Sequence, residues 1–139
     1  MPETIKRLRG IILTLTERCN LRCDYCYVPV EQGRTMTPEV AARAVDWFAA
    51  NAAEDGTLGL SFFGGEPFLA AEPMRRVTGH LRARVPAHRR VRVVTPTNAL
   101  AMSEADVAWC RQQDVELAIS IDGGADSCGR KRAGGGECA

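Results

Sequence analysis

The chain has 139 residues, of which 45% are hydrophobic and 25% are charged. This is the composition of an ordinary folded domain, and it excludes a disordered chain. Lys and Arg number 18 against 17 Asp and Glu, so a net charge of +1 gives no reason to expect a nucleic acid or an anionic membrane as partner.

Four short apolar runs alternate with three helical patterns along the chain. This alternation predicts an α/β fold of repeated βα units with parallel strands. The predicted strands are residues 11–15, 58–63, 91–95 and 117–121. Most of these runs are nearly continuous, as expected of strands covered on both faces.

The three helical patterns have recognisable ends. The first occupies residues 37–56, with threonine as N-cap and proline at the first helical position. The second lies between the prolines at 73 and 86, and the third, residues 103–113, opens with the serine and aspartate of a capping box. From Gly123 onward glycine is frequent and apolar periodicity stops, so we expect a core domain over residues 1–123 and a flexible, unstructured tail over 124–139.

The N-terminal sequence MPETIKRLRG has no apolar signal-peptide core. No apolar run approaches the roughly 18 residues that a membrane span needs. We therefore expect a cytoplasmic protein that binds neither membrane nor nucleic acid.

Three cysteines, Cys19, Cys23 and Cys26, follow the first predicted strand with the spacing Cys-x-x-x-Cys-x-x-Cys. In a reducing compartment, clustered cysteines more often bind metal or do redox chemistry than form disulfides. Three thiolates can hold a four-iron cluster and leave one iron open for a small molecule. A structural zinc site would need a fourth ligand, such as Cys110 or a cysteine of the tail.

The other three predicted strands are also followed by glycine-rich or polar stretches, and in a parallel βα array these strand ends meet on one face. Gly64-Gly65-Glu66-Pro67 would admit close approach of a ligand to the backbone, and the carboxylate of Glu66 could hold an ammonium group. Asn98, Ser120 and Asp122 could bind hydroxyls or a carboxylate. A local turn or capping bond explains each of these three equally well.

These residues resemble the motifs of the radical S-adenosylmethionine (radical SAM) enzymes. The resemblance rests on Cys19-x-x-x-Cys23-x-Tyr25-Cys26, on the sequence FFGGEP and on the sequence SIDG, and it covers about residues 9–123. Within the superfamily, the chain is most similar to the branch that matures peptides and proteins, including sulfatase-activating enzymes. The implied fold is the N-terminal part of a partial (β/α)6 TIM-like barrel.

The resemblance implies two cofactors. Cys19, Cys23 and Cys26 would hold a 4Fe–4S cluster, whose open iron chelates the amino and carboxylate groups of S-adenosyl-L-methionine. An electron from a donor such as flavodoxin or ferredoxin would then yield a 5′-deoxyadenosyl radical, which abstracts hydrogen from a peptide or protein substrate.

The same resemblance assigns contacts to S-adenosylmethionine. The stretch from Gly64 through Gly65 to Glu66 would hold the methionine ammonium, and the backbone at Tyr25 would meet the adenine. Ser120 or Asp122 would lie near the ribose or the carboxylate.

Other interpretations stay open, because the chain ends after the fourth predicted strand, whereas relatives in this branch complete the barrel and add a C-terminal domain. We expect an enzyme or a truncated, inactive homologue, with the fourth strand as an apolar edge that invites pairing. A zinc-binding module, an iron–sulfur electron carrier without SAM chemistry, and a partner that donates its edge strand to a full-length relative are the alternatives.

Overall fold

The computed structural model of the protein describes residues 8–29, 33–123 and 132–133. In chain order, its helices and strands are β1 (Gly10–Thr16), β2 (Arg22–Cys23), α1 (Pro38–Asn51), β3 (Leu58–Gly64), α2 (Ala71–Arg84), β4 (Val91–Thr97), α3 (Glu104–Gln112), β5 (Val115–Ile119) and β6 (Arg132–Ala133). None of the helices in the described part of the chain has the length and apolar character to cross a membrane.

The four longer strands form one parallel sheet in the order β1-β3-β4-β5. Each strand is added beside the preceding one, with a helix between them in sequence. This progression is typical of a segment of a βα barrel, whereas the strand order of a doubly wound sheet reverses. The prediction of an α/β fold with four parallel strands and three helices is confirmed.

The first helix begins as predicted and ends earlier. Thr37 is the N-cap, and its Oγ1 accepts a hydrogen bond from the N–H of Val40 at 3.3 Å. The helix ends at Asn51 rather than at residue 56, because Ala52 is already extended and forms a parallel bridge with Leu8.

The second helix begins earlier than predicted. Pro73 lies within the first turn of α2, where a backbone N–H has no intrahelical partner and its loss is tolerated. A 3-10 turn that the sequence did not predict, Pro67–Ala70, precedes the helix, and the side chain of Glu66 caps it.

The start of the third helix agrees with the prediction, whereas the bounds of the strand after it do not. The capping box of Ser103 and Asp106 is confirmed at the start of α3. The last strand of the sheet occupies Val115–Ile119 instead of residues 117–121. The cause is Asp114, which turns the chain sharply with φ 50° and lets pairing with β4 start at once.

Two residues of the predicted tail are part of a strand. Arg132–Ala133 form β6, which pairs antiparallel with β2 beside Cys23. The other residues of the tail, 124–131 and 134–139, lie outside the described residues. The division into a core domain over 1–123 and an unstructured tail therefore stays a prediction.

The expectation that the strands are covered on both faces is wrong for the described part of the chain. In β1, Leu13 and Leu15 are buried, whereas Ile12 is 70% exposed. The buried side chains alternate along the strands, as in a sheet with one packed face. Helices α1 and α2 cover that face, and the core contains the residues Leu58, Leu60, Phe62, Val93, Val45, Phe48, Met74 and Leu81.

This one-sided packing predicts unequal costs for neighbouring substitutions in β1. Leu13→Ala should lower the free energy of unfolding by about 3 kcal/mol, because it opens a cavity in the core. Ile12→Ala should cost less than about 1 kcal/mol, because its side chain is already in solvent. Urea unfolding of the two variants measures both values, and equal costs would contradict a sheet with one open face.

Candidate functional site

The carboxyl ends of the parallel strands and the cysteine loop enclose one cavity of about 340 Å³. Its wall includes every predicted site residue except Asp122, namely Cys19, Cys23, Tyr25, Cys26, Gly64, Gly65, Glu66, Asn98 and Ser120. The structure thus brings together residues that are up to 101 positions apart in sequence (120 − 19).

The cysteine loop leaves the sheet directly after β1. Its first turn is held by the hydroxyl of Thr16, which accepts a hydrogen bond from the N–H of Arg18 at 3.1 Å. Cys19 and Cys23 are half-buried, Cys26 is exposed, and all three are free thiols.

The surroundings of the Cys19 thiol change its pKa in two opposing ways. Burial raises its pKa, and the N–H of Leu21, which donates to Cys19 Sγ at 3.4 Å, opposes that rise. The negative charge of Glu66 raises the pKa further.

The two glycines at the end of β3, Gly64 and Gly65, allow the loop that follows β3 to contact the cysteine loop. Gly65 donates its N–H to the carbonyl of Thr16 at 2.9 Å. A Cβ on Gly64 would lie 2.1 Å from the carbonyl oxygen of Thr16, and one on Gly65 would lie 2.1 Å from that of Arg18. Gly64 also adopts φ 132°, a conformation that other residues rarely adopt. The glycines are therefore required by contact within the protein itself.

Glu66 is 1% exposed, and its carboxylate accepts three hydrogen bonds from the protein. Oε1 accepts hydrogen bonds from the N–H of Phe68 at 3.1 Å and the hydroxyl of Thr97 at 2.8 Å. Oε2 accepts from the N–H of Asn98 at 2.8 Å. An ionised carboxylate has about four acceptor positions, so an ammonium group would share Glu66 with these three donors.

Asn98 reaches from the end of β4 to the cysteine loop. Its Nδ2 donates to Asn20 Oδ1 at 2.9 Å and lies 4.0 Å from Cys19 Sγ. Its Oδ1 accepts from the N–H of Leu100 at 3.0 Å. Both ends of this amide therefore have protein partners.

The end of β5 also contacts the cysteine loop. The hydroxyl of Tyr25 donates a hydrogen bond to the carboxylate of Asp122, which is outside the cavity wall. Ser120 is fixed by its N–H, which donates to the carbonyl of Thr97 at 2.9 Å. The side chains of Tyr25 and Asp122 thus form a link that no sequence spacing had indicated.

Sequence reasoning missed two residues of the site, Asn20 and Thr97. Both are next to predicted site residues: Asn20 follows Cys19 inside the cysteine motif, and Thr97 precedes Asn98. For Thr97 the available signal was a hydroxyl just after a predicted strand, since a buried hydroxyl needs a hydrogen-bond partner.

The donor set fits an iron–sulfur cluster. Three free thiols line one cavity wall, and the ligands of a four-iron cluster bind different irons, so their sulfurs need not converge on one point. Within residues 8–29, 33–123 and 132–133, no group of three or more His, Cys, Asp or Glu is arranged to hold a single metal ion.

A second cavity of about 340 Å³ lies between α1 and α2, in the helical layer. Its wall is made largely of small apolar residues such as Ala41, Val45 and Val77, and it contains no cysteine. It takes no part in the site at the strand ends.

The glycine contacts predict a position-dependent effect of added methyl groups. Gly64→Ala and Gly65→Ala should each lower the free energy of unfolding by more than about 2 kcal/mol, since the new Cβ meets a carbonyl oxygen. Gly79→Ala is the control, because nothing lies within 4 Å of its Cβ and a helical glycine gains about 0.5–1 kcal/mol on replacement by alanine. Urea unfolding distinguishes the two groups. A neutral effect at residues 64 and 65 would contradict the close approach.

The environment of Cys19 predicts its reactivity in the metal-free protein. The thiolate is the nucleophile, so a half-buried thiol with a raised pKa should react more slowly with iodoacetamide than the exposed Cys26. Peptide mass spectrometry after brief alkylation at about pH 8 measures the order. Modification of Cys19 before Cys26 would contradict the burial described above.

Comparisons with known proteins agree with this site. A model of the Radical SAM superfamily matches residues 13–138, which extends past residue 123, where the motif resemblance ended. An uncharacterized protein of Methanocaldococcus jannaschii is 28% identical over 116 residues, covering 84% of this chain and 39% of that protein. A PqqA peptide cyclase of Granulibacter bethesdensis is 37% identical over 69 residues, covering 48% of this chain and 18% of that protein.

The structure of anSMEcpe with bound AdoMet matches 95% of this chain and 36% of that one, with a TM-score of 0.80 and 23% identity. This likeness confirms that the four strands and three helices form part of a TIM-like barrel. The chain spans 39% or less of the length of these three proteins. Radical SAM proteins use a 4Fe–4S cluster and S-adenosylmethionine. The family match over residues 13–138 shows that this chain belongs to the radical SAM superfamily.

Proposed function

We propose that this chain is the cofactor-binding part of a radical SAM enzyme that modifies a peptide or protein. The observation that carries the proposal is the shared cavity, in which three free thiols face the residues that follow β3 and β4. A 4Fe–4S cluster, when bound, supplies the electron that cleaves S-adenosylmethionine to a 5′-deoxyadenosyl radical, which abstracts hydrogen from the substrate.

The chain's own residues would bind the cluster and orient S-adenosylmethionine. In this proposal Cys19, Cys23 and Cys26 hold the cluster through their thiolates. The stretch Gly64–Glu66 positions the methionine ammonium, for which the remaining acceptor position of the Glu66 carboxylate is suited.

The adenosyl part of S-adenosylmethionine would lie between the cysteine loop and the end of β5. The backbone at Tyr25 meets the adenine, and Ser120 or Asp122 lies near the ribose or the carboxylate. Because the Tyr25 hydroxyl donates to Asp122, the two residues would be positioned together.

A peptide substrate is supported by the relatives. Two of them are named PqqA peptide cyclase, and two solved structures of anSMEcpe contain AdoMet and a peptide. We further propose a cytoplasmic location, where thiols stay reduced, and an electron donor such as flavodoxin or ferredoxin.

The experiment is anaerobic reconstitution of the full 139-residue chain with iron and sulfide. We expect about four irons and four sulfides per chain, a change in the spectrum of the reduced cluster on addition of S-adenosylmethionine, and formation of 5′-deoxyadenosine. Cys19→Ala, Cys23→Ala and Cys26→Ala should each abolish stable cluster binding. Cys110→Ala is the matched control, since its buried thiol packs in the apolar core.

Three results would contradict the proposal. Zinc in place of iron and sulfide would indicate a zinc-binding module, for which loss of metal on Cys110→Ala would name the fourth ligand. A cluster whose spectrum does not change when S-adenosylmethionine is added would indicate an electron carrier. A cluster that binds S-adenosylmethionine without cleaving it would indicate an inactive homologue.

A further inference from the structure

Two acidic groups approach each other at the end of β4. The Glu66 carboxylate is buried there, and Cys19 lines the same cavity, with its Sγ 4.0 Å from Nδ2 of Asn98, the residue whose N–H donates to Glu66 Oε2. A cysteine that ligates a cluster is a thiolate, so two neighbouring negative charges would have to be stabilised in a poorly hydrated place.

Asn98 lies between these two groups and presents a donor to each. Its backbone N–H donates to Glu66 Oε2 at 2.8 Å. Its side-chain Nδ2 lies 4.0 Å from Cys19 Sγ and donates to Oδ1 of Asn20, the residue after that cysteine, at 2.9 Å. The same residue therefore separates the carboxylate from the sulfur.

The direction of the Asn98 amide is fixed by the turn that follows β4. Its Oδ1 accepts from the N–H of Leu100 at 3.0 Å, and Thr97 Oγ1 accepts from the N–H of Ala99 at 2.9 Å. Ala99 adopts φ 64°, a conformation in which a non-glycine residue is held by its surroundings. With Oδ1 engaged by Leu100, the NH2 end of the amide must face the cysteine loop.

We propose that Asn98 is a positioning residue for Cys19, which anchors the cysteine loop through Asn20 and stabilises the more negative, reduced form of the bound cluster. Donors near cluster sulfurs and the net charge around a cluster are known determinants of its potential. This inference rests on the proposed function. It gives the Asn98 side chain a role toward the cysteine loop in place of a contact with the hydroxyls of S-adenosylmethionine.

The experiment compares reconstituted wild-type chain with Asn98→Asp and Asn98→Ala. Asn98→Asp keeps an acceptor for the N–H of Leu100 but exchanges the donor beside Cys19 for a negative charge. The control is Asn51→Ala, since Asn51 Nδ2 donates to the carbonyl of Trp47 on the exposed side of α1. The measurements are the midpoint potential of the cluster and the rate of iron loss to a chelator, both without S-adenosylmethionine, and the dissociation constant of S-adenosylmethionine.

We expect the potential to become more negative in both Asn98 variants, most in Asn98→Asp, and the rate of iron loss to rise several-fold. The dissociation constant of S-adenosylmethionine should stay at the wild-type value in Asn98→Ala, because the backbone N–H of residue 98 still donates to Glu66 Oε2. Asn20→Ala removes the anchor from the other side, so it should also speed iron loss. Its effect should not add to that of Asn98→Ala, because the two residues form one contact.

The outcomes separate this inference from the function on which it rests. If wild-type chain assembles no cluster, the proposed function fails and the inference fails with it. If the cluster assembles and the potentials and rates of all variants equal those of Asn51→Ala, the inference alone is refuted. Weaker binding of S-adenosylmethionine at an unchanged potential would also refute it, and would make Asn98 a cofactor ligand. Should Asn98→Asp not fold, Asn20→Ala still decides whether the anchor exists.

Discussion

The site depends above all on the buried carboxylate of Glu66. It accepts hydrogen bonds from Phe68, Thr97 and Asn98, and its own N–H donates to the carbonyl of Arg18 at 2.8 Å. One residue therefore joins the segments that follow β1, β3 and β4. A charge removed from water would be strongly destabilising without these donors, so the carboxylate fixes the three strand ends relative to one another.

The chain stabilises its fold and its site by different means. Apolar burial is concentrated on the face of the sheet under α1 and α2, where Phe48, Phe62 and Met74 are fully buried. Among the described residues, the strand ends are joined by hydrogen bonds, such as those of Asn98 and Tyr25, and by a stack of the exposed Tyr27 and Phe63 rings. Substitutions in the helical layer should therefore act on global stability, whereas polar substitutions at the strand ends act on local geometry.

The sequence correctly predicted those features that depend only on residues close to one another in the chain. The caps at Thr37 and Ser103 satisfy donors within three residues, and the cysteine spacing belongs to one loop. The end of α1 was missed because Leu8 pairs with Ala52, and the links from Thr97 to Glu66 and from Tyr25 to Asp122 were missed because they join residues 31 and 97 positions apart. A strand with apolar residues on both sides reads as a continuous apolar run, whether one of its faces or both are covered. The open face of the sheet was therefore not predictable from the sequence either.

The close contact of the glycine loop with the cysteine loop has a consequence for the order of assembly. Gly65 and Glu66 donate to the carbonyls of Thr16 and Arg18 through the backbone alone. In a zinc finger, the free energy of metal binding drives the chain to fold. Here backbone hydrogen bonds already hold the base of the cysteine loop against the sheet, so the free energy of binding the proposed cluster would remain available for affinity and for reactivity.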